Sequence, residues 1–274
     1  MLHAAVRSVA ALGLVLAGFT AQASVAPLGT LYAVDSGRAL FSVDPATGTK
    51  TQIGTVSTNA GTTAGLAYDP ASNTVFLTST NNDSLYTLDL ATGNATLVGS
   101  YGVSVVMHGL EWDSSTGTLY GASSSPNSFY SISTSTGAAT LLGSIDFTSF
   151  NNLGYDSTNN LMFMTNSSTD SLYTIDRADG AVTLVGALQG STNPNGLAYA
   201  DDLQTMFLVD NSTDTLYSLN LGTGATTAIG STGPGNLLGL VYVNVIPEPA
   251  TYALFGLGLA GMLAWQRRRS ATAG

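Results

Sequence analysis

Within residues 24–246, one histidine and one glutamate stand alone for their types, His108 and Glu111. With Asn151 and Asn195 at corresponding places further along, they offer an imidazole, a carboxyl and two carboxamides. Such a set could grip a sugar through hydrogen bonds, or a Ca²⁺ ion through hard oxygen donors. With Glu111, Asn151 and Asn195 on calcium and His108 as base, the same residues could open a lactone. Other chemistries find less support. The chain has no cysteine, so neither a thiolate nucleophile nor a thiolate metal site exists. No Gly-x-Ser-x-Gly elbow accompanies His108. A glycosidase pair needs a second carboxyl facing Glu111, which spacing alone does not place. Gly256-Leu257-Gly258-Leu259-Ala260-Gly261 fits the dinucleotide fingerprint G-x-G-x-x-G. It sits in an apolar run, not between a strand and an amphipathic helix, so no nucleotide is expected there.

The elements that must position these residues repeat along the chain. Phe41, Tyr86, Tyr130, Tyr173 and Tyr217 are spaced by 45, 44, 43 and 44 residues. Gly48, Gly93, Gly137, Gly180 and Gly224 repeat the same intervals, as do Gly54, Gly99, Gly143, Gly186 and Gly230. Three markers in one phase over five copies define a structural repeat. In the second copy, Gly65–Tyr68, Thr74–Ser79, Ser84–Leu90 and Ala95–Ser100 read as strands with period-two alternation. Asp44, Asp89, Ser133, Asp176 and Asn220 begin the turn before the fourth strand, and the first glycine series ends it at positive φ. Asp69, Asp113 and Asp156 begin turns after the first strand. Asp83, Asp170 and Asp214, with Asn127, precede the third. Four antiparallel strands per repeat form a propeller blade.

The expected fold is therefore all-β, a five-bladed β-propeller. A parallel solenoid is the runner-up, but it has no use for the split first repeat. Leu31–Val34, Ala39–Asp44 and Thr49–Gly54 supply only three strands of a blade, and Gly239–Tyr242 supplies the missing innermost one. Joining them closes the ring and removes an exposed sheet edge. The body resembles the loose, Tyr-rich propellers of the WD-type and quinoprotein-like repeats, without a Trp-Asp dipeptide. That likeness implies no activity. One aromatic per blade follows the innermost strand's leucine (Tyr68, Trp112, Tyr155, Tyr199, Tyr242) and is assigned to packing between sheets. Ala64, His108, Asn151, Asn195 and Leu238 start the innermost strands, where a propeller opens onto its channel.

Charged residues make up only 9% of the chain. Residues 24–246 hold three cations, Arg38, Lys50 and Arg177, against sixteen carboxylates, for a net charge of −13. Such a surface repels nucleic-acid phosphates and anionic lipid, so nucleic acid is not an expected partner. No cofactor motif is found.

The two ends address the protein. Arg7, the apolar run Val9–Phe19 and the small-x-small site Ala21-Gln22-Ala23 make a secretory signal peptide over residues 1–23, cleaved before Ser24. At the other end, residues 247–274 carry Pro247-Glu248-Pro249, a 16-residue apolar segment from Ala250 to Trp265, then Arg267-Arg268-Arg269. Proline holds the approach extended. The segment is short for a permanent transmembrane helix, which needs about 20 residues. The arginines favour the cytoplasmic side. This tripartite tail resembles the PEP-CTERM sorting signal of Gram-negative bacteria that make extracellular polysaccharide. The resemblance implies recognition by the membrane enzyme exosortase, an inner-membrane-anchored intermediate, and delivery to the surface or matrix. Expected partners are the export machinery and exosortase, then polysaccharide or envelope proteins. The reading of residues 24–246 is a non-enzymatic binding or scaffold module; its alternative is the calcium-dependent lactonase sketched above.

Overall fold

A computed structural model of the protein describes residues 29–147 and 149–244. The expected signal peptide, with Ala21 and Ala23, and the expected sorting segment, with Pro247, Glu248, Pro249, Arg267, Arg268 and Arg269, lie outside the described residues. Twenty strands form five four-stranded antiparallel sheets. Blade II holds β4 (Thr63–Asp69), β5 (Thr74–Ser79), β6 (Ser84–Leu88) and β7 (Ala95–Ser100). Blade III holds β8 (Met107–Asp113), β9 (Thr118–Ser124), β10 (Asn127–Ile132) and β11 (Ala139–Ser144). Blade IV holds β12 (Asn151–Asp156), β13 (Leu161–Asn166), β14 (Ser171–Ile175) and β15 (Val182–Ala187). Blade V holds β16 (Pro194–Ala200), β17 (Thr205–Asp210), β18 (Thr215–Leu219) and β19 (Thr226–Ser231).

Blade I is assembled from both ends: β20 (Leu237–Val243) pairs with β1 (Thr30–Asp35), followed by β2 (Ala39–Val43) and β3 (Lys50–Thr55). Tyr32 lies opposite Val241, and Ala33 opposite both Leu240 and Phe41. The expected seam is therefore present, and the innermost strands β4, β8, β12, β16 and β20 touch in a closed circle. Among the described residues there is no α-helix, only a 3₁₀ turn at Thr58–Ala60. None of those residues forms a helix long and apolar enough to cross a membrane.

The expected third strand of blade II runs two residues too far. It ends at Leu88 because Asp89 opens the turn, its Oδ1 accepting the Ala91 N–H at 2.8 Å while its carbonyl accepts the Gly93 N–H at 2.8 Å. The carboxylates after the first strands act as expected: Asp69, Asp113 and Asp156 accept the N–H groups of Ala71, Ser115 and Thr158. Asp83, Asp170 and Asp214 sit at φ of 45°, 46° and 47°, a left-handed bend that Asp and Asn tolerate.

The core lies between blades, not within them. One cluster joins Val34, Leu40 and Val241 of blade I to Leu66, Tyr68 and Leu77 of blade II, and four similar clusters complete the circle. Each fully buried leucine or phenylalanine contributes about 1.5–3 kcal/mol. The two glycine series dovetail across these interfaces. Gly99, Gly143, Gly186 and Gly230 each follow a bulge in an outer strand, and a Cβ on any of them would strike a carbonyl oxygen of the next blade's turn, that of Thr136, Asp179, Thr223 or Thr47. Bare backbone on both sides lets neighbouring blades close at the rim.

Candidate functional site

Four of the five innermost strands also carry a bulge where they begin. His108, Asn195 and Leu238 are each the extra residue against their partner strand, and Ala64-Gly65 together oppose Thr78. A bulge re-aims its side chain, and of these residues His108 and Leu238 line the cavity at the axis. Blade IV pairs regularly from Asn151↔Asn166 onward, with Asn152 where the other blades have Gly65, Gly109, Gly196 and Gly239. The Asn152 Nδ2 donates to the Pro194 carbonyl at 3.2 Å. Around the axis the backbones nearly touch: a Cβ on Gly65 would lie 2.5 Å from the His108 carbonyl oxygen, and one on Gly109 2.6 Å from that of Asn151. The central cavity holds only ≈ 10 Å³, about one water.

The four residues singled out by the sequence do not share a pocket. His108 lines this central cavity, 8% exposed, its ring edge-on to Phe150 at 4.2 Å and without a hydrogen bond among the described residues. Burial lowers its pKa to about 4, so the imidazole is neutral at ordinary pH. Asn151 is fully buried; its Oδ1 accepts from Asn166 Nδ2 at 2.7 Å and its Nδ2 has no partner among the described residues. Asn195 Nδ2 turns back to the carbonyl and Oδ1 of Asn193 at 2.8 and 2.7 Å. These amides serve their own blades. Calcium would need Glu111, Asn151 and Asn195 to converge, and the donor set does not fit that demand. Among the described residues no three His, Cys, Asp or Glu side chains gather as for a metal ion.

Glu111 instead lines a second cavity, at the ends of the innermost strands. Its walls include Tyr68, Trp112, Tyr155, Tyr199 and Tyr242, one aromatic from each blade, with Asp201 and Asn244 also lining it. The cavity measures ≈ 50 Å³ and opens to solvent. Burial pushes the Glu111 pKa well up. The Trp112 N–H, donating to its Oε1 at 2.9 Å, and the Tyr155 backbone oppose that shift, while Asp201 and Asp113 reinforce it. The carboxyl is thus held toward its neutral form.

Rigid contacts brace the collar. Tyr68 and Tyr155 donate their hydroxyls to Asn73 and Asn160, and Tyr242 donates to Asp202 at 3.0 Å. Trp112 stacks on Phe76 and Tyr242 on Phe207, each at 6.4 Å. Arg177 sits 5.5 Å over the Tyr155 ring and forms an ion pair with fully buried Asp113. Burial opposes ionisation of Asp113, yet hydrogen bonds from Ser115 and Thr116 together with the Arg177 charge hold its pKa low. The collar was visible in the sequence as one aromatic per blade, and packing accounts for nearly all of Tyr68, Tyr155 and Tyr242 and for part of Trp112 and Tyr199. What spacing could not show is that all five line one cavity with Glu111.

Comparison with known proteins identifies the tail. Residues 245–269 match the PEP-CTERM protein-sorting motif. The chain carries an exosortase sorting signal. The motif implies export, anchoring in the membrane and sorting to the surface, with exosortase as the processing partner. No curated protein matches the chain. Among solved structures, a chain of a nidogen/laminin complex superposes with a TM-score of 0.55 at 13% identity, over 78% of this chain and 98% of that one. A protein of unknown function from Bacteroides thetaiotaomicron gives 0.53 at 16% identity, over 75% of this chain and 58% of that one, so this chain spans less than two thirds of it. Virginiamycin B lyase from Staphylococcus aureus gives 0.47 at 12% identity, over 74% and 70%. At such identities the likeness is one of fold alone.

Proposed function

We propose that the exported propeller is a non-enzymatic binding module of the cell envelope or extracellular matrix, taking a neutral saccharide at the aromatic mouth around Glu111. One observation carries this reading: a half-buried acid, held toward its neutral form, in a mouth lined by an aromatic from each of the five blades. Aromatic faces with polar tips suit hydroxylated rings, and a neutral carboxyl both donates and accepts a hydrogen bond. The cavity of ≈ 50 Å³ admits a hydroxymethyl-sized group, with the ring that bears it left outside against the rim. The separation of His108 from Glu111 supports binding over the calcium-dependent hydrolysis weighed above.

Calorimetric titration of residues 24–246 with neutral oligosaccharides tests the proposal. All five sheets are complete between Thr30 and Val243, so this piece contains every strand of the ring. Trp112→Ala or Tyr199→Ala should weaken binding by about ten-fold. Glu111→Gln, which keeps a donor and an acceptor, should change it little. Sustained hydrolysis of lactones, esters or glycosides by the purified domain would reject the reading.

A further inference from the structure

The sorting tail leaves the propeller at this same mouth. β20 is the innermost strand of blade I, and Asn244, the residue after its end, lines the Glu111 cavity with its Oδ1 buried. From Asn244, three residues lead to Pro247 and six to Ala250, where the apolar run begins. Six extended residues span at most about 20 Å. A domain of this length is about 40 Å across. A tether shorter than the domain's width, rooted at the rim of the channel, turns that face toward the bilayer and leaves a narrow gap in front of it.

We infer that the Glu111 mouth is the membrane-facing side of the anchored precursor, screened from polymeric ligands until exosortase detaches the tail. The orientation follows from chain length and the position of Asn244. Its value as regulation rests on the binding role proposed above: the domain would engage a matrix polymer only after release, and so would not capture it at the membrane. The screening agent is the lipid surface itself, which the net charge of −13 gives the domain no electrostatic reason to embrace.

The absence of cysteine allows a clean test. Ser114, exposed in the turn after β8, borders the mouth, while Ser212, exposed between β17 and β18, lies at the opposite face. Ser114→Cys and Ser212→Cys are placed in the full chain, reconstituted in nanodiscs, and treated with a polymer-bearing maleimide. Labelling at position 114 should be several-fold slower than in free residues 24–246, and labelling at 212 the same in both. A small maleimide should modify both sites readily, which shows each thiol accessible, and a thermal midpoint matching that of the parent chain shows each variant folded. Equal polymer labelling of 114 in the two forms, or an equal slowing at 212, would overturn the orientation. Failure of the free domain to bind saccharides, with the labelling asymmetry intact, would strike only the binding role.

Discussion

Replacing His108 with leucine, the residue blade I carries at the same place as Leu238, should flatten the acid limb of the stability profile. The imidazole is buried against Phe150, finds no hydrogen bond among the described residues, and has its pKa lowered from 6.5 to about 4. Its protonation is therefore easier in the unfolded chain than in the folded one. For a histidine lowered in this way, stability is intact above the unfolded value and drains away as pH falls from 6.5 toward 4. Proton linkage puts the loss due to this one ring at about 1 kcal/mol at pH 6, about 2 at pH 5 and about 3 at pH 4. The carboxylates also titrate in this range, so the informative quantity is the difference between wild type and His108→Leu. Urea unfolding at pH 7.5, 6, 5 and 4 should show the variant gaining on wild type by those amounts. Parallel profiles would mean that the ring is well hydrated or partnered, and the account of the central cavity as narrow and the ring as desolvated would fail.

Two further perturbations probe the frame around the site. Gly143→Ala should cost about 1–3 kcal/mol, since its Cβ meets the Asp179 carbonyl, whereas Gly54→Ala, with nothing within 4 Å, should stay within about 0.5 kcal/mol; thermal unfolding separates them, and equal effects would refute the dovetailed rim. Asp113→Asn removes the buried charge opposite Arg177 and weakens the turn held by Ser115 and Thr116, and should cost about 1–3 kcal/mol; a denaturant midpoint unchanged from wild type would show that the Arg177 brace under Tyr155 contributes nothing.

Most of the fold was legible because each blade announces itself through chemistry that acts locally. Gly48 and its four counterparts take φ of 74–78°, a bend few other residues make, so their spacing reads directly as the blade period. The seam was legible because Leu31–Val34 lacks an inner neighbour and Gly239–Tyr242 lacks an outer one. The site was less so. That His108 is a bulge residue depends on its register with Ser123 and Ala122, and register belongs to a pair of strands rather than to one. Gly65, Gly109, Gly196 and Gly239 hinted at it, since glycine within a strand often marks a bulge or a close approach. Asn152 breaks that series, and blade IV alone pairs its innermost strand without a bulge. Asn151 looked free to bind, yet its oxygen is taken by Asn166, fifteen residues away on the next strand.

The partnership of Leu31 with Tyr242 also sets a timetable for a secreted chain. β1 is among the first strands to emerge on the far side of the membrane and must wait, apolar and without its inner mate, for nearly the whole polypeptide to follow. Its mate arrives seven residues ahead of the hydrophobic stretch that opens at Ala250. The ring of an exported chain therefore closes only when its last strand arrives, so a protease met outside has its best opportunity before then and loses it once that strand slots home.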